Sequence, residues 1–163
     1  MTHDPVLRRI ALAILAAVGV VVADQVSKWV IVAIVMQPPR VIEVTPFFNI
    51  VLGFNRGISF GILRETLAAF PETLSIGKLG IVALLAWFLA RSDDPWERMA
   101  FGLMIGGALG NIIDRLRLGG VVDFLDVHAF GWHWPSFNVA DMALTTAAMT
   151  MVAGMVRGPR NTP

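Results

Sequence analysis

The chain has 163 residues, 13 basic against 12 acidic, so its formal net charge is +1, and 56% of it is hydrophobic while only 15% is charged. Globular domains average about 45–50% apolar and about 25% charged residues, so this chain has too few charges to clothe a surface facing water and too much apolar content to stay disordered. The balanced charge offers no electrostatic footprint for nucleic acid, the lack of cysteine removes disulfides and thiolate chemistry, and a mean hydropathy of +0.69 points to a polytopic membrane protein.

Four apolar runs are long enough to consider as spans, since a crossing helix needs about 20 mostly apolar residues. The first covers about residues 10–36 and is interrupted by Asp24, Gln25, Ser27 and Lys28. Arg8 and Arg9 ahead of Ile10 also suit the start of a secretory signal peptide, with Val21-Val22-Ala23 as a cleavage site. The apolar pattern resumes at Trp29 and three more spans follow, so an uncleaved first span accounts for more of the chain. Next, about residues 41–64 are rich in β-branched and aromatic side chains punctuated by Pro46 and Gly53, which predicts a small outer β-sheet lying on the membrane. Residues 74–90 form the second span, and residues 97–114 the third, a short one. Arg115 to Asn138 reads as a second outer loop, whose Phe130, Trp132 and Trp134 suit the headgroup level. The fourth span covers about residues 139–156.

This predicts a mainly α, integral membrane protein with four transmembrane helices and a small extracytoplasmic sheet, residues 1–163 forming a single membrane-embedded domain. Four spans put both termini on one side. The basic residues in short segments, Arg8 and Arg9, then Arg91 and Arg98, then Arg157 and Arg160, favour the cytoplasm.

Ionisable groups in or beside a span are expensive, about 2.5–3.5 kcal/mol each at the bilayer centre, and so are functional candidates. Asp24 and Lys28, four apart, share a helix face and read either as a self-neutralising structural pair or as catalytic groups. Asn111, Asp114 and Arg115 close the third span; Asn111 and Asp114 face the same way, and an arginine is a candidate partner for Asp114. Asp123 sits in Val121-Val122-Asp123-Phe124, with no cation beside it in sequence, and Asp141 lies just inside the fourth span. Two carboxylates brought close share a proton, so one can activate water while the other donates to a leaving group. Asp126 is near enough to compete for that role. His128 and His133 lack metal-site spacing, Ser59 and Ser136 lack the context of an elbow nucleophile, and Gly102, Gly106 and Gly110 form a packing stripe. No metal or other cofactor is expected. Acids in membranes also serve as proton relays, so a small proton-coupled transporter or channel subunit using Asp24, Asp114 and Asp141 is the alternative, and a passive scaffold built on the glycine stripe is a third.

Five segments in order, Asp24-Gln25-Val26-Ser27-Lys28, Asn55-Arg56-Gly57-Ile58-Ser59-Phe60, Gly106 to Arg115, Val121-Val122-Asp123-Phe124 and Phe137-Asn138-Val139-Ala140-Asp141, resemble the motifs of bacterial lipoprotein signal peptidase, or signal peptidase II. Ser59 departs from the usual alanine, a small-for-small change. The resemblance implies a membrane aspartic endopeptidase with a β-platform and a short extracytoplasmic helix or loop. Asp123 and Asp141 would be its catalytic pair. Asn55, Gly57, Asn111, Asp114, Arg115 and Asn138 would bind substrate or orient the aspartates, and Asp24 and Lys28 would support the site. The implied substrate is a diacylglyceryl-modified prolipoprotein, cut before its lipidated cysteine at the outer face of the bacterial cytoplasmic (inner) membrane by a monomer embedded in the phospholipid bilayer.

Overall fold

A computed structural model of the protein describes residues 5–56 and 71–157. The first helix, α1 (Pro5–Val30), runs into one wider π-helical turn, Ile31–Val35. Its alanines and leucines favour helix, and it is apolar almost all round, as a helix facing lipid must be. Leu12, Leu15, Val18, Val22, Val26 and Trp29 point outward, while Asp24 and Lys28 are buried on the inner face. Helices α2 (Pro71–Arg91), α3 (Pro95–Leu118) and α4 (Val139–Arg157) complete the helical layer. Three helical stretches, Ile10–Val35, Pro95–Leu118 and Val139–Val156, are long and apolar enough to cross a bilayer, whereas the apolar stretch Leu79–Arg91 within α2 is shorter.

Helix α3 is four residues longer at its C-terminal end than the apolar pattern suggests, because Arg115 and Arg117 belong to it. Asp94 opens it by accepting from the Trp96 and Glu97 N–H groups at 2.6 and 3.2 Å, with Pro95 at the first helical position. Gly119, at φ 69°, closes it, and its N–H donates to the Arg115 carbonyl at 3.0 Å. The glycine stripe makes α3 the central helix. A Cβ on Gly106 would lie 2.6 Å from the Ala17 carbonyl oxygen on α1, and one on Gly107 would lie 2.6 Å from the Ala140 carbonyl oxygen on α4. Only glycine lets both neighbours approach so closely.

Strands β1 (Ile42–Thr45), β2 (Phe48–Asn55), β3 (Val121–Ala129) and β4 (Trp132–His133) form an antiparallel sheet in that order. The expected sheet thus has its first two strands in place, but residues 121–129, expected within a loop, are a central strand. The segment Val121 to Val127 is β-branched and aromatic, and its two aspartates mask an alternation that is satisfied on both faces. Val122 and Phe124 bury against Ile31 and Met36, so the period of two turns Asp123 to the opposite face. Phe130 and Gly131 both have positive φ, 52° and 80°, as a two-residue hairpin turn requires, and carry the chain into β4. Residues 134–137 then run back beside β3: the Trp134 N–H donates to the Val127 carbonyl, and Phe137 exchanges hydrogen bonds with Leu125. This return delivers Asn138 and the start of α4 next to Asp123.

Candidate active site

Four elements converge beneath the sheet. On α1, Lys28 Nζ lies 2.8 Å from Asp24 Oδ2, 2.8 Å from Asp114 Oδ2 on α3 and 3.1 Å from Asn111 Oδ1. These three acceptors match the three N–H donors of an ammonium group. The pair read from the i, i+4 spacing is therefore part of a buried triad. Asp114 is bonded by Lys28, from another helix, and by Gln25, whose Nε2 donates to Asp114 Oδ1 at 2.9 Å, and Arg115 also lies close enough to interact with it. Sequence reading passed over Gln25, although it lies in the polar interruption that drew notice to its neighbours. Its amide also donates to Asp24 Oδ2 at 3.3 Å and to the Gly110 carbonyl at 3.2 Å.

Asn138, fully buried, joins the two candidate aspartates. Its Nδ2 donates to Asp123 Oδ1 at 2.6 Å, with Val122 O and Asn111 Oδ1 further off at 3.2 and 3.3 Å. Its Oδ1 accepts from the Asp141 N–H at 3.0 Å, while Asp141 Oδ2 accepts from the Asn138 N–H at 3.3 Å. That reciprocal pattern is a capping box, so the local geometry that starts α4 also fixes the Asp141 carboxylate. Asn111 Nδ2 donates to Asp141 Oδ1 at 3.0 Å, and Asn55, on the strand paired with β3, hydrogen-bonds Asp123.

Asp123 and Asp141 both line two adjoining cavities. One, of about 620 Å³, runs along residues 134–137 and the α4 face carrying Met142 and Thr145. The other, of about 340 Å³, lies among Ile81, Leu85, Met104 and Ala108. Asn55 and Leu144 line both as well; Leu144 gave no signal in sequence, being one apolar residue in an apolar span. Burial, then the negative charge of Asp141, push the Asp123 carboxyl up to about 6, against the hydrogen bonds from Asn55 and Asn138 and the charge of Lys28. A cation is nearby after all: Arg115 lies close enough to interact with Asp123, Asp141 and Asp114, and its Nη1 donates to the Asn111 carbonyl at 3.1 Å.

The other candidates separate cleanly. Asp126, three residues from Asp123 on a strand, faces the other way. Asn49 Nδ2 donates to its Oδ2 at 3.0 Å, and His133 Nδ1 lies 2.9 Å from both its oxygens. Burial pushes the Asp126 carboxyl up, but His133 and Asn49 outweigh it and hold it below the usual range. His133 is half exposed and stacks on His128 at 4.8 Å. Among the described residues, no group of three or more His, Asp or Glu is placed to hold a metal ion. Gly57 and Ser59 lie outside the described residues.

Apolar helices long enough to cross a bilayer, meeting under a small sheet around a buried polar pocket, define an integral membrane protein with an enzyme-like site. The chain belongs to the signal peptidase II family: the family model described as "Signal peptidase (SPase) II" matches residues 16–157. A lipoprotein signal peptidase of Syntrophotalea carbinolica is 42% identical over 140 residues, covering 85% of this chain and 86% of the relative. One of Paraburkholderia phytofirmans is 40% identical over 147 residues, covering 88% and 84%. A solved structure described as a bacterial membrane enzyme superposes with a TM-score of 0.76 at 34% identity, over 94% of this chain and 92% of that one. A second, described in the same words, gives 0.74 at 35%. The protein is therefore a peptidase that removes signal peptides from prolipoproteins, and the transporter and scaffold alternatives fall away.

Proposed function

We propose that this peptidase cleaves by a two-aspartate mechanism in which Asp123 and Asp141 share one proton. The observation that carries the reading is Asn138, bonded to both acids where they line the same pair of cavities. The ionised carboxylate takes a proton from a water molecule, whose oxygen adds to the carbonyl carbon of the scissile peptide. The protonated carboxyl first hydrogen-bonds that carbonyl oxygen and then gives its proton to the leaving amine as the C–N bond breaks. Lys28 is bonded to Asp24 and Asp114 and acts on Asp123 by its charge, while Arg115 faces both acids, and one shared proton leaves the pair and Arg115 together neutral. The chemistry needs no cofactor.

The substrate in this reading is a prolipoprotein whose cysteine already carries diacylglycerol, cut on the N-terminal side of that cysteine. A helical signal peptide bonds all its amides internally, so its scissile segment must unwind before water can reach it, which suits a site beneath a sheet at the ends of the spans. The enzyme is a monomeric single domain with four spans in the bacterial cytoplasmic membrane. Its site is at the outer face and both termini are cytoplasmic. Asn55, Gly57, Asn111 and Asn138 contact substrate or hold the acids, and Asp24, Lys28, Asp114 and Arg115 support them. The test is processing of a model prolipoprotein with and without diacylglycerol, each in the presence and absence of a chelator. Cleavage confined to the lipid-modified form and indifferent to chelation is expected; equal cleavage of both forms, or loss on chelation, would contradict the reading.

A further inference from the structure

We propose that Lys28 is a positioning residue that sets the separation of the two aspartates by tethering, through Asp24 and Asp114, the backbone amide that precedes each of them. The inference rests on the two-aspartate reading. Asp114 Oδ2 accepts from the Val122 N–H at 3.1 Å, one residue before Asp123, and Asp24 Oδ1 accepts from the Ala140 N–H at 2.9 Å, one residue before Asp141. Lys28 Nζ sits between the two carboxylates, 2.8 Å from each. The continuous path from amide 122 to Asp114, Lys28, Asp24 and amide 140 joins β3 to α4 through α3 and α1. The third N–H of Lys28 goes to Asn111, which itself donates to Asp141.

A stabilising role alone explains this poorly. Burying three charges costs more desolvation than an apolar triplet of the same volume, and such pairs are weak devices for stability. Their value here lies in direction: every arm ends at the chain segment carrying a dyad member. Gln25 ties the two carboxylates together from the other side, and Gly110 leaves no room for Asp24 to retreat, since a Cβ there would lie 2.6 Å from Asp24 Oδ2.

The test is Lys28→Met, assayed on a lipid-modified prolipoprotein. Misplacement of reacting groups by about 1 Å costs on the order of 100-fold, so kcat should fall by about that factor with KM unchanged. Asp123 is faced by Asp141 from α4, Arg115 from α3 and Lys28 from α1; both cations favour its ionised form, and Lys28→Met removes one of them. The limb of the pH–rate profile that reports Asp123 should therefore move to higher pH in the variant. Wild-type kcat, or a reduced kcat with the profile unmoved, would overturn the tether. If Lys28→Met fails to fold, the neutral triple variant Asp24→Asn, Lys28→Met, Asp114→Asn takes its place: folded protein with the same loss of kcat is expected, and wild-type kcat would overturn the proposal. Asp123→Asn with Lys28 intact separates the two possible failures. Cleavage retained there overturns the two-aspartate reading, and this one with it; cleavage lost there beside an unaffected Lys28→Met overturns the tether alone.

Discussion

Two pairs of acids stand a few residues apart in the same buried network, and they are built oppositely. Asp24 and Asp114 are bridged by a lysine ammonium, with Gln25 closing the other side. Asp123 and Asp141 are bridged by Asn138, a neutral amide, and open into cavities. A cation between two carboxylates offsets their mutual repulsion and makes them rigid parts of the structure. A neutral donor holds the second pair in place but leaves the repulsion between them, which a shared proton relieves. The same residue type is thus scaffold in one place and reagent in the other, and what separates them is the group in the middle.

Removing the neutral bridge is the most disruptive way to test this contrast. Asn138→Ala deletes the 2.6 Å bond to Asp123 and half of the capping box around Asp141. We expect kcat to fall by about 100-fold with KM little changed, alongside roughly 1 kcal/mol lost with the cap; steady-state kinetics at wild-type kcat would show that the bridge is dispensable. A second test uses proton linkage. Folded Asp123 keeps its proton to about pH 6, against 3.8 for the ordinary carboxyl. Its contribution to stability is complete below the lower value and is lost as pH rises through the upper one, by roughly 3 kcal/mol. Asp123→Asn should therefore melt higher than wild type at pH 8 and equal to it near pH 4. Thermal melts that differ equally at both values would remove the contrast in charge state. The smallest expected effect concerns the scaffold pair. Gly110→Ala should cost about 1–3 kcal/mol by displacing Asp24. Gly80→Ala, where no described atom lies within 4 Å of the new methyl group, should be neutral or slightly stabilising. Equal melting of the two variants would mean that Asp24 is not confined.

Much of this site is legible in the sequence because it obeys local periods. Asp24 and Lys28 announce a shared helix face by their spacing, Gly102, Gly106 and Gly110 announce close helix approach, and acids beside apolar spans attract notice by their cost. The rest depends on partners distant in sequence. Strand β3 was hidden because its aspartates break an alternation that only the packing of Val122 and Phe124 on Ile31 and Met36 reveals. The lysine between Asp24 and Asp114 comes from packing α1 against α3, which no spacing encodes, so of the two cations near Asp114 only the arginine beside it is visible in the sequence. The cation near Asp123 reaches it from eight residues back along the chain, across the turn between α3 and β3. Gln25 was overlooked because an uncharged amide carries no visible cost until its acceptors are placed.

Single substitutions of the pair itself test the two-aspartate mechanism most directly. Asp123→Asn and Asp141→Asn, each purified in folded form, would be assayed for cleavage of a diacylglyceryl-modified prolipoprotein. We predict that each loses about 10²–10⁴-fold in rate, the typical contribution of a positioned general acid or base. Cleavage near the wild-type rate by either folded variant would contradict the mechanism.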